Sequence, residues 1–411
     1  MAVAEIKTTL PSHAELMQRA EGLLPALRER AKKTEELRRL PDETMRDLFD
    51  TGLLRILQPK RYGGYGMGWA AHADAARVLA RACSSTAWIV SVVGAHAAIA
   101  GRLNKQCQDE IWGRSQDQLI ATASARANGT MRKVDGGYRL TGHWRFASGV
   151  DHSEWTMVTA PIEEDGLVST EAHFCHRALM PTKDIEIVDT WHVAGMKGTG
   201  SKDVKAQDLF IPAHRVLGAA ASFARNPPGA AVNPDGYLYE VPFMAYFGNS
   251  LLGPMIGAAE GAYHDYCEIT RVRTSALFGN SVAEQTPVQM RLAETAAEIK
   301  AARLIYEDAN AFLHQLGLKK QDITHEQKIE AERDRAFVAR LCVSAVTRLV
   351  RQMGAIGLAD SNPVQRHYRD VTAMATQIAV NWDRGMGPFG RMALGLPTET
   401  PYENRKVPVA K

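Results

Sequence analysis

Two stretches of this chain gather residues able to hold a flat ligand and work on it. The first is Gly136 to Trp155, GGYRLTGHWRFASGVDHSEW, where an alternating strand-like run ends in the small polar turn Ser148-Gly149, followed by Asp151, His152 and Trp155. The second is Asp189 to Val204, DTWHVAGMKGTGSKDV, where Trp191 and His192 precede Thr199, Gly200, Ser201 and Lys202. Both set an indole and an imidazole beside small hydroxylated residues and glycines. Glycine lets a backbone approach a ligand closely, and hydroxyls both donate and accept hydrogen bonds. Together the two stretches resemble the walls of a flat-ligand site. A third candidate is His96, set alone in the apolar run WIVSVVGAHAAIA. A lone histidine on such a run is also what a satisfied core residue looks like.

Elements must position these groups. Tyr138, Leu140, Trp144 and Phe146 have the period of a half-buried strand. Residues 12 to about 118 read as helical. Pro41-Asp42-Glu43 opens one helix, which ends near Thr51-Gly52, and further helices cover roughly 69–82 and 84–113. From 118 to about 219, alternation and the turn signals Asn128-Gly129, Asp135-Gly136 and Asp165-Gly166 predict strands. Residues 220–240, rich in Pro, Gly and Asn, read as a connection. Beyond 245 the pairs Phe337-Val338, Leu341-Cys342, Ala345-Val346 and Leu349-Val350 recur every four residues, a broad helical stripe suited to a four-helix bundle. The expected division is a helical domain at 1–118, a β domain at 119–219, a linker at 220–244 and a helical bundle at 245–411.

Composition narrows the classes. The chain has 411 residues, 45% hydrophobic and 23% charged, which fits a globular protein with a substantial core. A net charge of +3 without a basic run gives no footprint for nucleic acid. Five dispersed cysteines without CxxC spacing predict reduced thiols and no metal site. The start, MAVAEIKTTLPSHAEL, lacks the basic-then-apolar pattern of a signal peptide, and the apolar run Ala87 to Ala100 is too short to span a bilayer. The expected location is the cytoplasm, with no membrane anchor. No strand-GxGxxG-helix unit and no phosphate-binding P-loop occurs.

The order helices, strands, helices, with the motifs LRRLPDETMRDLFDTGLLRILQPKRYGG, SSTAWIVSVVGAH, QDEIW, the two stretches above, FIPAHR and RHYRDVTAMATQIAVNWD, resembles the acyl-CoA dehydrogenase fold. More narrowly it resembles the two-component reduced-flavin-dependent monooxygenases typified by 4-hydroxyphenylacetate 3-hydroxylase oxygenases. The resemblance spans residues 36 to 385. It implies an α+β architecture: an N-terminal helical domain, a middle β-barrel or sandwich, and a C-terminal four-helix bundle. It also implies an oxygenase that receives reduced FMN or FAD from a separate flavin reductase and adds O2 at flavin C4a. One oxygen then passes from that hydroperoxide to a small phenolic or indolic substrate, in aromatic catabolism. A homotetramer is the expected assembly.

The resemblance also assigns residues. Ser148 falls at the Ser-Gly position beside flavin N5, and His96 at the place of a histidine that binds or deprotonates a phenol hydroxyl. Trp144, Gly149, Trp191, Thr199, Gly200 and Ser201 would line the flavin, with Lys202 offsetting phosphate charge. Arg273, in RVRTSALFG with Phe278 and Gly279, would meet the phosphate tail near a subunit boundary. His152 reads as structural, and Tyr237, Tyr239 and Phe243 as residues that shape the pocket. The departure is Gln377, where the family usually has a histidine that supports flavin oxygenation. Glutamine cannot titrate, so it could hold an oxygen or carbonyl only through hydrogen bonds. Arg369, Asp370 and His367 are the neighbours that could substitute. The competing reading is an acyl-thioester dehydrogenase or oxidase, which needs a carboxylate base. Glu260 is a candidate, but the chain has NWDRGMGPFGRMALG in place of the usual Tyr-Glu-Gly-Thr-type segment. A third reading is a flavin-binding protein without catalysis.

Overall fold

A computed structural model describes residues 10–124, 128–169, 175–223, 225–234, 236–277, 279–398 and 406–408. Phe278 lies outside the described residues. The chain opens with α1 (His13–Leu37), started by a capping box in which Ser12 Oγ accepts from Glu15 N and the Glu15 carboxylate accepts from Ser12 N. After α2 (Asp42–Asp50) comes an irregular glycine-rich stretch. Then follow α3 (Trp69–Ala80), α4 (Ser84–Ala100) and α5 (Lys105–Trp112). The single helix expected over 84–113 is two, because the Asn104 side chain caps α5 by accepting from Cys107 N at 2.9 Å. Nearly every residue of α4 is buried, as its unbroken apolarity requires.

The β region contains β1 (Ile120–Ala123), β2 (Asn128–Val134), β3 (Gly137–Ala147), β4 (Trp155–Glu163), β5 (Leu167–Ser169), β6 (Cys175–Pro181), β7 (Glu186–Val188), β8 (Lys202–Pro212) and β9 (Val216–Leu217). Eight form one sheet in the order β7-β8-β3-β2-β4-β6-β9, with β1 parallel to β4; β5 pairs with β10 (Lys406–Pro408) instead. One face of the sheet encloses its own core of Met131, Leu140, Trp144, Val158, Met180 and Val204. Ile120, Trp155, Met157 and Leu179 face the other way, into the core shared with the helices. That second face is where a site between sheet and helices must form.

Much of the 220–244 segment is packed onto the helices. It includes α6 (Ala219–Phe223), and Tyr237, Leu238, Tyr239 and Val241 are buried. The buried Arg102 donates to the carbonyls of Tyr239, Val241 and Ala221, which ties the segment down without regular structure. Beyond it, α7 (Phe243–Ser250), α8 (Leu252–Val272), α9 (Thr286–Leu318), α10 (His325–Met353), α11 (Pro363–Met374) and α12 (Trp382–Ala393) complete the fold, with α8 to α11 as the bundle. The stretch His325–Leu358 is long and apolar enough to cross a membrane by length and composition. Here its apolar stripe packs against α8, α9, α11 and α12.

Candidate functional site

The strand that carries the first stretch does not alternate to its end. Irregular pairing with β8 between Trp144 and Ala147 shifts the register. Leu140 and Trp144 point into the sheet core, and Trp144 Nε1 donates to the Thr159 carbonyl at 2.9 Å. Trp144 is 2% exposed, its ring packed in the β core. Phe146 instead takes a positive φ of 67° and stands 55% exposed, edge-on to Trp191 with ring centroids 6.2 Å apart. An apolar ring exposed in this way, beside a partly exposed indole, is an aromatic wall that a flat ring would cover.

Below that wall runs a chain of hydroxyls. Ser148 Oγ lies 2.7 Å from Ser201 Oγ, and Ser201 Oγ lies 2.7 Å from Thr199 Oγ1. Thr199 donates to the Met196 carbonyl at 2.9 Å, and Trp191 Nε1 donates to the same carbonyl at 3.1 Å. Gly149 N donates to the Thr199 carbonyl at 2.9 Å, which sews the two stretches together. The set supplies hydroxyl donors and acceptors next to an aromatic wall, so it fits the edge and face of a flavin ring.

Gly149 has φ 71°, and a Cβ there would stand 2.8 Å from Val93 Cγ2 of α4. Left-handed strain and overpacking together predict that Gly149→Ala destabilises the protein by roughly 2–4 kcal/mol. Chemical denaturation reads this; an unchanged midpoint would show that the turn relaxes freely.

The neighbours of Gln377 are occupied elsewhere. Arg369 forms a two-pronged pair with Glu35 of α1 at 2.7 and 3.0 Å and donates to the Ala194 carbonyl. Asp370 is buried, its pKa raised chiefly by burial, and its Oδ1 accepts from Met196 N at 2.6 Å. His367 Nε2 lies 3.4 Å from Asp265. Arg369 and Asp370 thus clamp the Ala194–Met196 turn and serve as positioning residues. Gln377 is half-buried and caps a short turn, its Oε1 accepting from Ala379 N at 2.5 Å.

Lys202 is paired with Asp151 at 2.9 Å, with both side chains mostly buried, which commits its charge before any phosphate arrives. Gly200, at φ 53°, lies against Asp151 and the Arg38 carbonyl. His192 sits beside Arg38, itself paired with Asp189. His152 is largely buried, and burial lowers its pKa. Arg273 borders a separate cleft of about 760 Å³ with Arg291, Arg348 and Arg351, and its Nε is buried without a hydrogen-bond partner. No described contact links that cleft to the hydroxyl chain of the same copy.

His96 stands on the face of α4 that meets Gly149, one turn beyond Val93. Its Nδ1 lies 2.7 Å from the Ile120 carbonyl and must donate to it, which leaves Nε2 as acceptor for the Thr122 hydroxyl at 2.9 Å. Phe247 of α7 lies alongside, ring centroids 6.4 Å apart. Burial pushes the His96 pKa down to about 3, so the ring is neutral. Thr122 was missed from sequence; its parity with Ile120 on a strand was the available signal. Among the described residues no group of three His, Cys, Asp or Glu is arranged for a metal.

Residues 13–111 match the acyl-CoA dehydrogenase N-terminal domain, and 250–382 match the acyl-CoA dehydrogenase C-terminal domain. The chain is 35% identical over 382 residues to the oxygenase subunit HsaA, a flavin-dependent monooxygenase of Rhodococcus jostii, covering 93% of this chain and 98% of that one. It is 31% identical to the oxygenase component of p-hydroxyphenylacetate 3-hydroxylase from Acinetobacter baumannii, covering 94% and 90% of the two chains. Among solved structures it is similar to XiaF from Streptomyces in complex with FADH2 and glycerol, at 27% identity and a TM-score of 0.87, covering 95% and 97%.

Proposed function

We propose a role for a chain that belongs to the acyl-CoA dehydrogenase family, in its branch of flavin-dependent monooxygenases: it is the oxygenase component of a two-component system and hydroxylates a small aromatic compound, phenolic or indolic. Reduced flavin, FMN or FAD from a partner reductase, supplies when bound the electrons that activate O2, one oxygen going to the ring carbon and the other to water.

The chain's own residues hold and shield. Ser148, in line with Ser201 and Thr199, holds the flavin ring by its edge, while Gly149 and Gly200 let the turns that carry these hydroxyls pack closely on α4, Asp151 and Arg38, and Trp191 covers a face. His96 orients the substrate: with Nδ1 donating to Ile120, its Nε2 lone pair accepts the substrate hydroxyl in place of Thr122. Arg273 serves the phosphate tail from another copy of the chain, in a cytoplasmic homotetramer. Exposed Val272, Leu277, Leu358 and Leu394, at or beyond the ends of the C-terminal helices, suit burial between copies. Gln377 holds its turn and takes no acid role.

The observation that carries this reading is the Ser148–Ser201–Thr199 hydroxyl chain beside the uncovered Phe146–Trp191 wall. The dehydrogenase reading loses its base, because Glu260 is locked to Arg77 at 2.7 Å in a different cleft. The test supplies purified protein, reduced FMN or FAD and labelled O2 to a panel of phenols and indoles. A product carrying label is expected, which would also exclude a non-catalytic flavin binder. Label recovered only in water and peroxide across the panel, with acyl-thioester oxidation detected, would reverse the reading.

A further inference from the structure

A line of rings leads away from His96 to the surface. Phe247 lies 6.4 Å from His96 between ring centroids and stacks on Phe243 at 5.0 Å. Phe243 meets Trp69 edge-on at 5.6 Å. Trp69 is 6.2 Å from Tyr246, and Tyr246 is 5.9 Å from Tyr237. Every ring from Phe247 to Tyr237 is buried. The Tyr237 hydroxyl lies 2.9 Å from Nδ1 of His314, an exposed residue of α9. Indole and phenol give up single electrons more readily than most side chains, so oxidisable rings run from the interior to the solvent.

These rings differ in what can take their proton. An indole or phenol that has lost an electron becomes strongly acidic, and the electron hole settles where a base accepts the proton. Trp69 Nε1 is buried and has no hydrogen-bond partner among the described residues. His72 stands edge-on to it at 6.3 Å without bonding it, and burial lowers that imidazole to a pKa of about 4, which makes it a poor base. Tyr246 donates to the Leu313 carbonyl at 3.0 Å, and a peptide carbonyl does not take up a proton. Tyr237 is the ring bonded to an imidazole at the surface. In the tautomer protonated at Nε2, His314 Nδ1 accepts the phenol hydrogen and can take the proton outright. Core packing accounts for buried rings, but not for a proton acceptor placed only at the outer end of the line.

We infer that Trp69, Tyr246 and Tyr237 form an electron relay that draws oxidising equivalents out of the oxygenase site and discharges them beside His314. This rests on the oxygenase reading above. The oxidant is a hydroperoxyl radical, left when O2 receives one electron and a proton but not the second electron. It takes an electron from Trp69 across the two phenylalanines and, with a proton from water, becomes hydrogen peroxide. Tyr246 refills Trp69, Tyr237 refills Tyr246, and the Tyr237 proton passes to His314 Nδ1. A thiol in solution then returns a hydrogen atom to Tyr237 and becomes a thiyl radical, while His314 releases its proton to water. The site is thereby cleared without a lasting change to the chain.

The test reads the relay first without flavin. Azide radicals, made by pulse radiolysis in a solution of the full chain, take electrons from indoles. Phenoxyl absorption is expected to rise as indole-radical absorption falls, at a rate independent of protein concentration. Tyr237→Phe and Trp69→Phe should each lose that phase. A second measurement runs reduced flavin and oxygen in the presence of a thiol. His314→Gln keeps a hydrogen-bonding side chain but cannot take a proton. It should bind reduced flavin and complete its first turnovers as the wild type does, yet be inactivated after fewer of them. A wild type without the phase overturns the relay, as does a folded Tyr237→Phe or Trp69→Phe protein that keeps it. So does a His314→Gln protein that lasts as long as the wild type. Radiolysis needs neither flavin nor turnover. Electron transfer to Tyr237 without labelled product would therefore remove the oxygenase reading alone, and labelled product without that transfer would remove the relay alone.

Discussion

Replacing His96 with alanine should lower the rate of phenol hydroxylation on the order of a hundredfold, at the low end of what a positioned acid-base group contributes. Reduced-flavin binding, followed by fluorescence, should change little. The geometry specifies more than a loss. Nδ1 is held by the Ile120 carbonyl, and burial keeps the ring neutral down to a pKa of about 3. Such an imidazole accepts a hydrogen bond well and holds a proton poorly. His96→Gln, which keeps an acceptor but cannot titrate, should therefore recover about tenfold of the loss. If glutamine is as poor as alanine, proton removal is the true role. The same shift has a stability consequence. The unfolded chain protonates this histidine near 6.5 and the folded chain only near 3, so stability is full above 6.5 and falls as pH drops toward 3. His72, brought to about 4 by burial, adds in the same direction. Each contributes about 1.4 kcal/mol per pH unit within its window, and His96→Gln should flatten the slope by one such share.

Ser148→Ala is expected to shift the fate of reduced flavin and oxygen from product toward free hydrogen peroxide. A tenfold fall in the product-to-peroxide ratio corresponds to about 1.4 kcal/mol, the worth of one hydrogen bond. Because Ser201 bridges Ser148 and Thr199 at 2.7 Å on each side, Ser201→Ala should reproduce much of the effect. The double variant should be less than additive, as members of one network are. Peroxide assay and product chromatography from the same reaction read the ratio. An unchanged ratio in Ser148→Ala would remove the residue from its assigned place.

The sequence made the layer order legible because each layer has its own period: four-residue pairing in α10, alternation in β3 and turn dipeptides between strands. It also placed Ser148 and Ser201 near one another, since glycines and hydroxyls clustered in both stretches. Trp144 and Phe146 show where the period fails. The irregular register before Ala147 turns Phe146 outward and leaves Trp144 inside, and a bulge leaves no mark on an alternating pattern. Lys202 looked free because the burial that makes its pair with Asp151 worthwhile is a tertiary property. Arg369 and Asp370 were visible only as neighbours of Gln377, while their partners Glu35, Ala194 and Met196 lie far off in the chain.

The Arg369–Glu35 clamp joins residues 334 apart, and the Asp370–Met196 bond joins residues 174 apart. During synthesis, then, the first helix and the sheet leave the ribosome long before α11 can reach back to brace the turn that carries Thr199 and Ser201. A nascent chain halted before residue 369 would have its serines but not the braced wall between them. Flavin capture in the cell should therefore follow chain completion, and unassembled fragments should not draw the redox-active cofactor away from its reductase.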